Sequence, residues 1–280
     1  MCKLWKKLGL FFLLVPTIFI GTAPICIAEP MTAFKGMAGD IKISGGTAHI
    51  PVLKEAAKQI ITNNPGIRIS IAGGGSGVGI KQVGEGLVDI GNSGRAPTES
   101  EVSKYGLKLF KWAIDGVAVV VHPQNSTKAL TQAQLKEIFS GKIINWQALG
   151  GPDKGINLYT RDAASGTREV FWEKALGKGE IIDKANVVVS NGAMKAAISN
   201  DPYGIGYVSV GHIDDSVAPA ALDGVAPTVD NVTSGAYPVA RGLFSNTKGD
   251  PGPLAQAFID YLFSPAGQRI VRDNGFISVK

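Results

Sequence analysis

The chain has 280 residues, with 28 Lys and Arg against 23 Asp and Glu and a hydrophobic content of 45%. That length allows two lobes of roughly 100 residues or more, each with its own core. The net charge of +5 is concentrated at the start: residues 1–28 hold three lysines and no acid, and the remainder carries 25 basic against 23 acidic residues, a net of +2. No run of like charges stands out, so the composition gives nucleic acid no footing as a partner.

Lys3, Lys6 and Lys7 precede an apolar stretch from Leu8 to Ile20, and small residues follow at Ala23 and Ala28. That order is the signature of a secretory signal peptide. The stretch is interrupted by Pro16 and falls short of the roughly 20 residues a membrane span needs. Cleavage is expected after Ala28, releasing a mature chain to the periplasm, the cell envelope or the medium. A lipid anchor on Cys26 is the rival reading, and Ile25 opposes it, because a small residue is wanted there. Cys2 and Cys26 both lie in the leader. A mature chain without them has no disulfide, thiolate metal site or cysteine nucleophile.

In chain order, Ile41–Ser44 reads as a strand, followed by Gly45-Gly46-Thr47. Ile50, Leu53, Ala57, Ile60 and Ile61 recur with helical spacing, and Asn63-Asn64-Pro65-Gly66 ends that helix. Ile67–Ala72 alternates as a strand, Gly73–Gly77 leads to a helical stretch near Ile80–Gly86, and Val88–Gly91 is a third strand. Val117–His122 is a continuous β-branched run, as expected of a strand buried on both faces. Thr131 and Gln134 fit a capping box opening a helix that closes at Gly141. Ile156–Thr160 is a strand, and Arg161–Ser165 leads to a helix through Arg168, Phe171 and Ala175. Leu254, Ala257, Phe258, Tyr261 and Leu262 form a last helical stripe. Strands alternating with helices predict an α/β fold with mostly parallel sheets.

One device recurs three times: a strand, then small Gly, Ser or Thr residues, then a helix. It occurs at 44–47, 73–77 and 165–167. Each places backbone N–H groups and a hydroxyl at the partially positive start of a helix, where an anion is stabilised. Arg95, Arg161 and Arg168 add planar donor forks suited to a tetrahedral oxyanion. The P-loop, dinucleotide and G-x-S-x-G nucleophile patterns are all absent. His49, His122 and His212 lack metal-ligand spacing, so no metal is expected. Trp112, Trp146 and Trp172 are expected to pack in cores or interfaces.

Gly-Gly-Gly-Ser-Gly-x-Gly at 73–79, Val88-Asp89-Ile90-Gly91 with Ser93 and Arg95-x-Pro97, and Arg161 with Ser165-Gly166-Thr167-Arg168 resemble the phosphate-binding proteins of phosphate-specific ABC transporters. So do Asp115–Val119, Leu130-Thr131 to Lys142, Asn145-Trp146 and Gly204–Val208, in order from about Ile41 to Lys280. The resemblance implies a type II periplasmic binding protein: two α/β lobes joined by crossing hinge strands, with the ligand in the cleft between them. On that layout lobe I is 39–114 plus 212–280 and lobe II is 115–211. It implies a monomeric receptor that uses no cofactor, is not an enzyme, and delivers inorganic phosphate to the membrane permease subunits of an ABC importer. Thr47, Ser76, Gly77, Ser93, Ser165, Gly166 and Thr167 would donate to phosphate and Arg161 would pair with it; Gly46 and Arg95, from their own positions, are further candidates for the binding set.

Two positions depart from the pattern. Gly46 stands where relatives often have serine, and Gly94 where some carry an aspartate that accepts the phosphate proton. Asp115 and Asp162 are the candidate acceptors here. The competing readings are a receptor for sulfate, a secreted phosphatase using Ser76 or Ser165, and a surface adhesin or sensor.

Overall fold

The computed structural model describes residues 30–279; the expected leader and both cysteines lie outside them. The first lobe opens with alternating elements: β1 (Gly39–Gly45), α1 (Ile50–Asn63), β2 (Ile67–Gly74), α2 (Ser76–Gly84), β3 (Ile90–Ser93) and α3 (Glu99–Tyr105). β1 lies parallel to both β2 and β3. Of the helical stripe read from sequence, Leu53, Ala57 and Ile60 lie on the buried inner face of α1 beside Val52 and Ala56, whereas Ile50 is partly exposed and Ile61 exposed.

β4 (Leu107–Val121) then runs out of this lobe and into the second. The second lobe holds β5 (Ala129–Leu130), α4 (Gln132–Phe139), β6 (Asn157–Arg161), α5 (Gly166–Lys174), β7 (Asn186–Val188), α6 (Asn191–Ser199) and β8 (Gly204–Ser209). The capping box that opens α4 is formed by Thr131 and Gln134. Short elements follow: β9 (Ala218–Pro219), β10 (Ala221–Leu222) and α7 (Val229–Thr233). β11 (Ala240–Lys248) returns to the first lobe, which ends in α8 (Pro253–Phe263), α9 (Pro265–Asp273) and β12 (Ile277–Ser278).

The strand order β2-β1-β3-β11-β4-β8-β6-β7 is continuous because β4 belongs to both lobes. Its first part pairs antiparallel with β11, from Leu107 to Gly116, and its last part pairs antiparallel with β8, from Val117 to Val121. The expected parallel sheets thus occupy the flanks, while the crossing strands make antiparallel ladders at the centre. The run at 117–122 marks only the second half of β4. Its first half carries Lys108, Lys111 and Asp115 and shows one partly exposed face, so no apolar run marks it.

Two cores flank the crossing. Ile41, Ile43, Leu53, Trp112, Phe258 and Leu262 pack in the first; Val119, Phe139, Trp146, Phe171 and Tyr207 pack in the second. Phe171 stacks on Tyr207 at 4.0 Å, and truncating such a ring to alanine costs about 3–5 kcal/mol. The second core also holds Ala220, Leu222, Val232, Tyr237 and Val239, and β9 pairs with β4 at Val120 and Val121. The expected return to lobe I at residue 212 is therefore corrected. Segment 217–239 packs on the second lobe, because its apolar residues complete that core, and the return is β11.

Candidate functional site

Three chain segments converge between the lobes. The first follows β1: Gly45 has φ +115°, and the chain passes through Gly46 into a short 3-10 turn at Thr47–His49 that runs into α1. The second is the turn before α2, where Gly74 and Gly75 have φ of +124° and +90°. Both lie in the left-handed region that glycine enters at little cost. A Cβ on Gly75 would also lie 2.6 Å from the Ala164 carbonyl. The third is the turn between β6 and α5, capped by Ser165, whose Oγ accepts from the Arg168 N–H.

The cavity they enclose is lined by Gly46, Thr47, Ala48, Gly75, Ser76, Gly94, Arg161, Ser165, Gly166, Thr167 and Arg241. The space open to the centre of a water-sized sphere is only about 10 Å³, far less than the roughly 300–1,000 Å³ of organic-ligand pockets. The wider grooves on the molecule, such as that between Asp40 and Ala255, are open surface features without this convergence of helix starts.

Each hydroxyl in the cavity accepts a bond from a protein N–H. Thr47 Oγ1 accepts from the Asn191 backbone and side chain at 3.2 and 3.0 Å, and Ser76 Oγ from the Gly94 N–H at 2.9 Å. Ser165 Oγ accepts from Arg168, and Thr167 Oγ1 from Arg241 Nη1 at 3.0 Å. A hydroxyl has one proton to give and two lone pairs. With a lone pair engaged by the protein, each is set to turn its proton toward the cavity.

Arg161 ends β6 with its side chain buried at 2% exposure. Its Nη2 donates to the Val189 carbonyl at 3.1 Å, while Nε and Nη1 have no hydrogen-bond partner among the described residues. Burial holds its guanidinium below the ordinary arginine range, opposed by Tyr207 and Asp162. A buried cation with unmet donors is costly unless an anion answers it. The N-termini of α2 and α5 add partial positive charge to the same space. This arrangement is suited to hold a small oxyanion. Neither serine has a general base beside it in these bonds, which gives nucleophilic chemistry no support.

Residues 33–266 match the PBP superfamily domain. The phosphate-binding protein PstS of Bacillus subtilis is 39% identical over 245 residues, spanning 86% of this chain and 81% of its own length. The chain belongs to the phosphate-binding proteins. Another member of that family, PstS of Borreliella burgdorferi, is 29% identical over 253 residues, 86% of this chain and 90% of its own. Among solved structures, a Clostridium perfringens phosphate ABC transporter substrate-binding protein with bound phosphate superposes with a TM-score of 0.81. It is 34% identical and the match covers 86% of this chain and 100% of that one. An ABC-type phosphate transport receptor from Vibrio cholerae gives 0.68 at 32% identity, covering 85% and 99%.

Of the candidate residues, Gly46, Thr47, Ser76, Arg161, Ser165, Gly166 and Thr167 line the cavity of this phosphate-binding protein. Gly77 does not: its N–H is spent across the cleft on the Ala164 carbonyl, at 3.0 Å. Ser93 lies in the strand behind, where its Oγ accepts from Asn246 Nδ2 at 2.9 Å. Arg95 is engaged elsewhere. Both its Nη groups hold Glu101 at 2.7 Å, and its Nε lies 2.7 Å from Glu169 of the other lobe. These carboxylates, Glu101 above all, raise the Arg95 pKa.

Neither candidate proton acceptor lines the cavity. Asp162 Oδ1 accepts from the Ala164 N–H at 2.9 Å, closing the turn before α5. Asp115 is fully buried on β4 and paired with Arg241; burial pushes its carboxyl up and Arg241 opposes the shift. Arg241 is a lining residue that the sequence reading does not contain. It faces inward from β11 alongside Leu243 and Ser245, all three buried. A charged residue on the inward side of an alternating strand was the available signal.

Proposed function

We propose that this protein captures inorganic phosphate in the cavity between its lobes and delivers it to an ABC importer. As a substrate-binding protein it is not an enzyme. The observation that carries the site assignment is Arg161: a buried guanidinium with Nε and Nη1 unpartnered, beside four hydroxyls and two helix N-termini. A tetrahedral dianion offers the charge and the acceptor oxygens that this set of donors lacks.

Thr47 and Ser76 come from the first lobe, and Arg161, Ser165, Gly166 and Thr167 from the second. Phosphate therefore favours the closed arrangement over one with the lobes apart, since only then do both sets reach one anion. The leader read from residues 1–28 would export the chain, with cleavage after Ala28, and the receptor would act as a monomer docking on permease subunits. Thermal unfolding of phosphate-stripped protein tests the central claim. Ligand at about 100 times its dissociation constant adds roughly 2.7 kcal/mol, so saturating phosphate raises the unfolding temperature, and an unchanged temperature sinks the proposal. Competition by sulfate between pH 5 and 8 decides which oxyanion is preferred.

A further inference from the structure

Arg241 ties the cavity to both lobes and to both crossing strands. It is 7% exposed on β11. Its Nε and Nη2 stand 2.8 and 2.7 Å from Oδ2 of Asp115 on β4. Asp115 is itself fixed, because its Oδ1 accepts from Ser209 Oγ at 2.9 Å. The other edge of the guanidinium turns to the cavity: Nη1 donates to the Gly94 carbonyl of the first lobe at 3.2 Å and to Thr167 Oγ1 of the second at 3.0 Å. Gly94 makes room for that edge. A Cβ there would lie 2.7 Å from Nη1 and 3.0 Å from Cζ.

An ion pair that merely braced the crossing strands would have no reason to reach the cavity wall or to occupy the lone pair that aims the Thr167 proton inward. Resting on the phosphate reading above, we propose that Arg241 is a phosphate-contacting residue and that Asp115 is its positioning residue rather than the acceptor of a ligand proton. The charge arithmetic follows from the pairing. Arg161 and Arg241 bring two positive charges and Asp115 removes one, so the cavity presents a net single charge plus oriented donors. Nη1 spends both of its N–H bonds on groups from the two lobes, so it is Nη2, without a hydrogen-bond partner among the described residues, that has a donor left for the anion, and the arrangement is complete only when the lobes are together.

Calorimetric titration of inorganic phosphate into stripped wild type, Asp115→Asn, Arg241→Gln and the double variant tests this. The double variant avoids leaving a buried carboxylate without its cation, which alone destabilises a fold. Arg241→Lys, which keeps a charge for Asp115 and gives up the planar fork, repeats the comparison. The double variant and Arg241→Lys are expected to bind about ten- to a hundredfold more weakly, as for a lost hydrogen bond to a charged partner. Asp115→Asn is expected to weaken binding several-fold on its own and to add nothing to Arg241→Gln, since it acts through that side chain. Binding by the double variant or by Arg241→Lys within threefold of wild type overturns the inference, as does an Asp115→Asn effect that persists without Arg241. A wild type that takes up no phosphate overturns the parent reading as well, and so separates the two failures.

Discussion

Arg161 and Arg95 hold matching positions in the two halves of the cleft, each at or just past the end of a strand and ahead of a helix. Their surroundings differ in one respect. Arg95 has carboxylates on every edge, Glu101 within its own lobe and Glu169 across the cleft. Arg161 has one carbonyl and two idle nitrogens. An arginine whose every edge is taken by acids is a strut, and an arginine with donors left over is a receptor for something else. Residue type and loop position do not separate the two; the supply of acceptors does.

The strongest way to break this contrast is Arg161→Met. Removing two donors to a charged ligand is expected to weaken phosphate binding at least about a hundredfold, while the ligand-free protein holds or gains stability because an unanswered buried cation is gone. Calorimetry and thermal unfolding read the two effects separately, and a loss below tenfold removes the distinction. Thr47→Val comes next. It keeps the shape but takes away a cavity hydroxyl and the acceptor of both Asn191 donors, so binding is expected to fall about tenfold. Unchanged affinity would place Thr47 outside the binding set.

A titration sharpens the contrast between answered and unanswered charge. Burial holds His49 at about 3 and His212 at about 4, so both rings are neutral in the fold and protonate near 6.5 when unfolded. Between those values the unfolded chain binds more protons. Stability is thus expected to be full above pH 6.5 and to decline as pH falls toward 4. The urea midpoint from pH 7 to 4.5 should drop, less steeply in His49→Asn; a flat profile would contradict the neutral assignment. The smallest effect belongs to Arg95→Gln. Its partly exposed bridge to Glu169 is worth up to about 1 kcal/mol, a few-fold in affinity that should fade with added salt. A loss as large as that of Arg161→Met would return Arg95 to the binding set.

The loops that line the cavity were legible because their chemistry is local. Thr47, Ser76 and Ser165–Thr167 sit where glycine, hydroxyl and helix start coincide in a few residues. Arg241 was hidden because nothing adjacent to it does so; its partner Asp115 is 126 residues away, and only the pairing of β4 with β11 brings them together. Ser93 and Gly77 carried the right residue types, but Ser93 lies in the strand behind the cavity lining and the Gly77 N–H is spent on the facing lobe. The lobe boundary failed for a related reason. Ala220, Leu222 and Tyr237 are scattered apolar residues with no strong period, and only the completed core shows which half they serve.

β4 has a consequence for how the molecule is made. Its 15 residues supply one ladder to each half, so neither sheet is finished until this strand is laid down through both. A scission at Ile114 would strip each product of half a beam and leave raw hydrogen-bonding edges. Assembly, unfolding and any attempt at domain grafting must then treat the two halves as a single cooperative object, even though the ligand treats them as jaws.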